Sequence, residues 1–272
     1  MLTFRSDQLV ARDRYTGRWQ RAWRELAENG PASFWRLVNN RRGGAFGFIV
    51  GNIRYLIAVH LNRRFDRRYC VDTSGDIASV HLEVVGENKA YGAAFLSTPE
   101  KTFRHALDLL PEDLGNFSFI DIGAGKGRAL LLASTRNFRK ILGVEYAPKL
   151  VACARQNFQT YRNPAQLCRD LSCVCADAAT FEPPPDDSVF YFLRPFEDNV
   201  MDALLQRIKK SYAAKPRKII IMFVSPAERD YAPPHQLLLA TGFLRRTRLA
   251  LLPFDWAAVT RFQIAVYESD PH

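Results

Sequence analysis

The sequence predicts an α/β protein: a doubly wound, mostly parallel sheet with a C-terminal antiparallel hairpin and an N-terminal helical extension. Three observations predict it. From residue 117 onward, short and continuously apolar segments alternate with helical patterns, the mark of a parallel sheet buried on both faces. That alternation ends in two strand-like segments with only a loop between them, which makes an antiparallel pair. Ahead of it, apolar residues recur at intervals of three and four, the period of an amphipathic helix. A chain of 272 residues with 47% hydrophobic content is long enough to bury the core such a sheet needs.

Taken in order, Trp19, Trp23 and Leu26 fall at helical spacing, and Asn29-Gly30-Pro31 stops that helix. Phe46, Ile49, Val50, Ile53, Ile57 and Leu61 then outline the apolar face of a further helix. With Arg54 in its middle, the run is too short and too interrupted for a membrane span. Gly43, Gly47 and Gly51 form a small-xxx-small series, read as close packing of this helix on the domain, with an interfacial helix as the alternative. The polar, turn-rich stretch from Arg67 to Gly75 is a bridge, dividing the chain into an Arg-rich extension over 1–75 and a main domain over 76–272. Thr98-Pro99-Glu100 opens a helix that carries Phe103, Ala106, Leu107 and Leu110 on one face and ends at Pro111.

Strands are expected at 118–122, 140–145, 171–176, 188–193, 218–224, 244–252 and 261–267, and helices at 128–134, 148–161 and 200–211. In such a sheet ligands bind beyond the carboxyl ends of the strands, where strand order reverses. The first strand ends in Asp121, followed by Gly123, Ala124, Gly125 and Gly127, and glycines let a backbone turn sharply against a ligand. The spacing is Gly-x-Gly-x-Gly, not the Gly-x-Gly-x-x-Gly of dinucleotide loops. An aspartate directly before the loop repels a pyrophosphate and attracts an ammonium such as that of a methionine moiety. Glu145 closes the second strand, where a carboxylate accepts both hydroxyls of a ribose. Asp177 and Ala178 follow the third and offer a carboxylate and backbone to an adenine. One acid alone would read as a cap or an exposed strand end; three at successive strand ends point to a ligand.

The runs Phe119 to Arg128, Leu142 to Glu145 and Ala176 to Ala178 resemble the successive motifs of class I S-adenosylmethionine (SAM) dependent methyltransferases, over roughly residues 88–268. The Gly-Lys-Gly-Arg ending at Arg128 and the Pro-Phe after the fourth strand are similar to a subgroup related to the non-SET histone and ATP-synthase-type lysine methyltransferases. The resemblance implies SAM as cofactor. It also implies that Tyr91 and the Ser97-Thr98-Pro99 element fold over it, and it extends to the run from Phe65 to Gly75. In amino-methylating relatives an Asn or Asp precedes the Pro after strand four; here Arg194 stands before Pro195 and Phe196, a donor without an acceptor. Three options follow. Arg194 clamps an acidic acceptor, Tyr191 or Glu197 handles the proton, or catalysis is lost and SAM binding remains. The aromatics Phe190, Tyr191, Phe192 and Phe196 are candidates for lining an acceptor pocket, alternate ones being core.

Charge is unevenly placed. Residues 1–70 hold fourteen arginines, no lysine and five acids, hence +9 of the chain's net +10. Such asymmetry suits contact with nucleic acid or an anionic membrane surface, or a set of solvated helices whose arginine stems pack on apolar neighbours. The odd count of five cysteines and an N-terminus without a signal-peptide pattern suit reduced thiols in a cytoplasmic protein, free or peripheral to a membrane. Cys173-x-Cys175 lacks the His or Cys-x-x-Cys partner of a zinc site, and no metal is expected. His105 reads as structural. The expected activity is methyl transfer from SAM to a protein side chain or small molecule. The alternatives are a nucleic-acid-associated methyltransferase, a SAM-binding protein without catalysis and, less well supported by the loop spacing, a nicotinamide dehydrogenase.

Overall fold

The computed structural model describes residues 30–31, 44–75, 97–193, 198–227, 232–258 and 260–269. Seven strands form one sheet: β1 (Ser118–Ile122), β2 (Lys140–Glu145), β3 (Leu171–Cys175), β4 (Ser188–Leu193), β5 (Ile219–Pro226), β6 (Leu244–Leu251) and β7 (Phe262–Ser269). Their order is β3-β2-β1-β4-β5-β7-β6. The first five pair in parallel, and β7 runs antiparallel to both β5 and β6. This is the expected doubly wound sheet with its C-terminal hairpin, the Rossmann-like arrangement of methyltransferases. Strand order reverses between β1 and β4, so the carboxyl end of β1 is the switch point where a ligand site belongs.

Alternation within the buried strands sends side chains to two cores. Phe119 and Tyr191 face one side, with Phe103 and Leu130 to Leu132. Ile120, Phe190 and Phe192 face the other, against Val200, Met201, Leu204, Leu205 and Ile208 of a helix over Asp198–Ala214. Every residue of β1 and β5 is buried, which is why their sequences are apolar without a polar alternation.

Four expectations change. Helix α1 spans Gly44–Tyr69 and so absorbs the start of the presumed bridge. It ends where Cys70 takes a left-handed φ of 58° and Val71 N donates to Asp66 O at 3.0 Å. Its buried face coincides only in part with the predicted stripe, of which Val50, Ile57 and Leu61 are half-buried. Asn52, Ala58, Phe65, Asp66 and Tyr69 are buried, whereas Phe46, Ile49, Ile53 and Leu56 are exposed. A Cβ on Gly51 would meet nothing among the described residues within 4 Å, so this member of the glycine series shows no close packing. Helix α2 (Glu100–Leu107) starts after Pro99 as expected, but its own Thr98 does not cap it. Asp255 does so from the β6–β7 connection, accepting from Thr102 N at 3.0 Å. Helices α3 (Arg128–Ala133), α4 (Pro148–Thr160) and α5 (Asp198–Ala214) lie where periodicity places them. A sixth, α6 (Ala232–Ala240), was not foreseen: its Pro-Pro pair reads as a breaker, yet proline is tolerated in the first turn of a helix. The expected helix around Trp19 to Leu26 lies outside the described residues.

Candidate functional site

The loop after β1 is built by its backbone. Gly123 N and Ala124 N both donate to Val144 O of β2, at 2.9 and 3.1 Å, and Gly127 N closes the turn on Ala124 O at 2.8 Å. Gly123, Gly125 and Gly127 hold φ of 85°, 54° and 83°, a region that L side chains enter only at a cost. At Gly127, which caps α3, a Cβ would also come within 3.1 Å of Ala154 and Phe158 on α4. The loop therefore sits tightly between β2 and α4.

Two of the three predicted acids converge on it. Glu145 ends β2 and is buried; its Oε2 accepts from Gly125 N at 2.8 Å and its Oε1 from Ala147 N at 3.0 Å. These bonds fix the carboxylate's orientation and leave lone pairs on both oxygens. Burial still pushes its pKa up, against the amides that favour the charged form. Asp121 pairs in register with Gly143 of β2 and Tyr191 of β4, and is likewise buried. Burial first, and then the negative charge of Glu145, push its carboxyl up to about 8. Two buried acids side by side form a place that a positive group would relieve. The third, Asp177, caps a 3-10 turn over Ala178–Thr180 by accepting from Ala179 N at 2.9 Å. Ala124 and Ala178 are buried beside the loop and the turn.

The Arg128 side chain is engaged with the N-terminal segment. Its guanidinium is 3% exposed and turned to α1 and the segment after it. It donates to Thr73 Oγ1 at 2.7 Å, Asp66 Oδ1 at 3.1 Å, Asn62 O at 3.1 Å and Asn62 Oδ1, and lies 4.5 Å over the ring of Phe65. Lys126 reaches the same segment through Asp72 Oδ1 at 2.9 Å and Ser74 O at 3.0 Å. Asn157 of α4 joins the two, accepting from Asp72 N at 2.8 Å and donating to Lys126 O at 2.9 Å. Residues 62–75 thus brace the back of the glycine loop. Sequence reasoning gave no role to Asn62, Asp66, Thr73 or Asn157; the only signal, for Asp66 and Thr73, was the run from Phe65 to Gly75, noted by resemblance alone.

On the acceptor side, Arg194, Pro195, Phe196 and Glu197 lie outside the described residues, as does Tyr91. Thr98 is buried just ahead of α2. Phe190, Tyr191 and Phe192 are each sealed in the core and line no open pocket. Tyr191 packs edge-on to Phe103 with ring centroids 4.8 Å apart. Among the described residues its buried hydroxyl makes no hydrogen bond. Burial, and then the charge of Asp121, hold that phenol well above its ordinary pKa, which argues against a role for it as a base. Tyr146, next to Glu145, carries a second buried hydroxyl without a partner, a residue the motifs did not flag. Among the described residues, no three His, Cys, Asp or Glu side chains gather to hold a metal ion.

A protein-family profile described as a methyltransferase domain matches residues 120–220, from β1 into β5. No curated protein matches the chain. Among solved structures, a SAM-dependent methyltransferase from Leishmania major is similar, with 14% identity and a TM-score of 0.47 over 62% of this chain and 70% of that one. A tRNA methyltransferase from B. subtilis has 11% identity and a TM-score of 0.44 over 62% and 66%. A protein of the NADB-Rossmann superfamily from Streptococcus agalactiae has 11% identity and a TM-score of 0.45 over 63% and 69%.

Proposed function

We propose that this chain is a class I SAM-dependent methyltransferase acting on a protein side chain or a small molecule. One observation carries the reading. Two buried acids at the carboxyl ends of adjacent parallel strands, Asp121 and Glu145, flank a glycine loop whose Gly125 amide is held by Glu145 at 2.8 Å. The match of residues 120–220 to a methyltransferase domain supports it. SAM supplies an electrophilic methyl on a sulfonium, so the protein's task is chiefly to orient and to exclude water.

The residues present fit that cofactor. Asp121 is an acid that burial and the charge of Glu145 push up to about 8, and the ammonium of the methionine moiety would offset that charge. Glu145 keeps acceptor capacity on both oxygens for the ribose hydroxyls. Asp177 and Ala178, after β3, stand where the adenine edge would be read. A pyrophosphate in the same place would face two buried acids, which disfavours a dinucleotide.

Calorimetry with SAM and with NAD tests the reading. SAM should bind and NAD should not. Glu145→Ala should cost about 1–3 kcal/mol of SAM affinity, as for a lost charge-assisted hydrogen bond. Gly125→Val should abolish binding by placing a branched side chain at a φ of 54° against the cofactor's path. Unchanged SAM affinity in both folded variants, or preferential binding of NAD, would refute the assignment. A labelled-methyl assay on cell lysate then identifies the acceptor.

A further inference from the structure

We propose that the outer face of α1, together with the β6–β7 connection that holds it, is a docking surface for an anionic lipid membrane. Exposed large apolar side chains are normally scattered. Here five of the ten among the described residues fall in two neighbouring segments: Phe46, Ile49, Ile53 and Leu56 on α1, and Trp256 in the β6–β7 connection. The two segments are tied together. Arg54 lies 4.9 Å over the ring of Phe254, which packs edge-on to Trp256, and Asn62 Nδ2 donates to Ala257 O at 3.1 Å.

The geometry of α1 divides it lengthwise into two opposite faces. At 100° per residue, Asn52, Ala58, Phe65, Asp66 and Tyr69 cluster on the inner one. Phe46, Ile49, Ile53 and Leu56 share the outer one, where they are 77%, 49%, 52% and 62% exposed. The same outer face continues through four exposed arginines, Arg63, Arg64, Arg67 and Arg68. From Phe46 to Arg68 this is one strip about 33 Å long, apolar over its first half and cationic over its second.

Charge and shape choose among occupants. A second copy of the chain would set arginines against arginines if the helices ran parallel, and apolar residues against arginines if antiparallel; neither complements. Nucleic acid would satisfy the arginines but would leave three aliphatic side chains with nothing to stack on. An anionic bilayer surface takes both halves: apolar side chains enter the acyl boundary and guanidiniums sit on lipid phosphates. Trp256, 54% exposed at the flank, suits the headgroup level. No helix among the described residues is long and apolar enough to cross a membrane, so the attachment is peripheral.

The test is co-sedimentation of the full chain with phosphatidylcholine vesicles, with and without one third phosphatidylglycerol, alongside binding to single-stranded RNA. The chain should prefer the anionic vesicles. Arg63→Gln/Arg64→Gln/Arg67→Gln should weaken partitioning roughly a hundred-fold, and added salt should do the same to the wild type. Ile53→Ser/Leu56→Ser, both exposed, should cost at least about ten-fold at any salt and keep the wild-type thermal midpoint. The emission of Trp256 should shift to the blue on binding, an effect absent in Trp256→Phe. Equal binding to neutral and anionic vesicles would overturn the proposal, as would RNA binding insensitive to the apolar variant in the absence of vesicle binding. A dimer abolished by Ile53→Ser/Leu56→Ser would overturn it in favour of self-association. None of these results depends on methyl transfer.

Discussion

In the proposed reading, Asp121 is where cofactor recognition and proton chemistry meet in a single side chain. In the folded, ligand-free protein its carboxyl sits at about 8 against an ordinary 3.8, through burial and the nearby charge of Glu145. Between those two values the folded state holds a proton that the unfolded chain has released, so stability falls as pH rises through this window. An ammonium in the site reverses the balance by favouring the carboxylate. SAM binding at neutral pH should therefore release up to one proton. Affinity should rise about ten-fold per pH unit up to the neighbourhood of 8 and then level off. Calorimetry in buffers of different ionisation enthalpy reads the proton directly, and Asp121→Asn should abolish it. Proton uptake, or an affinity indifferent to pH, would contradict the role given to Asp121.

Among the elements, the junction of β1, β2 and α3 shows how closely the loop is fitted. Gly143 lies in mid-strand, where a Cβ would come within 2.7 Å of Leu130 on α3 and 2.8 Å of Ala124 in the loop. Gly143→Ala should lower stability by about 1–3 kcal/mol through overpacking and should weaken SAM binding with it, seen in thermal and calorimetric titrations; a neutral effect would mean that the loop has slack. The strands of the sheet were legible to within a residue or two at their ends, because a strand buried on both faces must be apolar throughout. Helix α1 was legible as a helix but not in its orientation. Half of its apolar stripe faces outward, and its inner face presents an arginine-binding set of half-buried Asn62 and buried Asp66, flanked by Phe65 and Tyr69. Periodicity measures amphipathicity and is silent on which face finds the core when the core offers a cation.

Across the whole molecule, Arg128 is the joint between the N-terminal segment and the sheet. Phe65 and Tyr69 belong to the same hydrophobic core as Phe103 and Phe119, and Tyr69 meets Tyr161 of α4 with ring centroids 5.5 Å apart. Residues 62–75 thus contribute side chains to the core that lies against the sheet. Burial pulls the Arg128 guanidinium below its ordinary pKa even with Asp66 beside it, so the pair resists separation more than it adds net stability. Arg128→Met should leave the buried Asp66 carboxylate without a cation, held only by Thr73 Oγ1 and Ser74 N, costing about 3 kcal/mol or more and lowering the thermal midpoint by about 6 °C or more. Adding Asp66→Leu should recover part of the loss. A single variant as stable as the wild type would show that α1 docks by its rings alone.

What the sequence by itself determined is the part of the protein governed by local chemistry. The alternation of buried strands and helices follows from apolar runs and their period. The place of the ligand loop follows from glycines that alone tolerate its backbone, and the candidate acids follow from their position at strand ends. What only the tertiary structure decided depends on partners far away in the chain. Asp255 caps α2 across 153 residues, Arg128 turns from the loop to Asp66 and Thr73, and Tyr191 fills the core instead of a pocket. A side chain's type sets which bonds it can make, but the number of donors and acceptors within reach is fixed only when the fold brings distant segments together. For buried polar groups, which must be satisfied or destabilise the fold, that choice of partner decides the role.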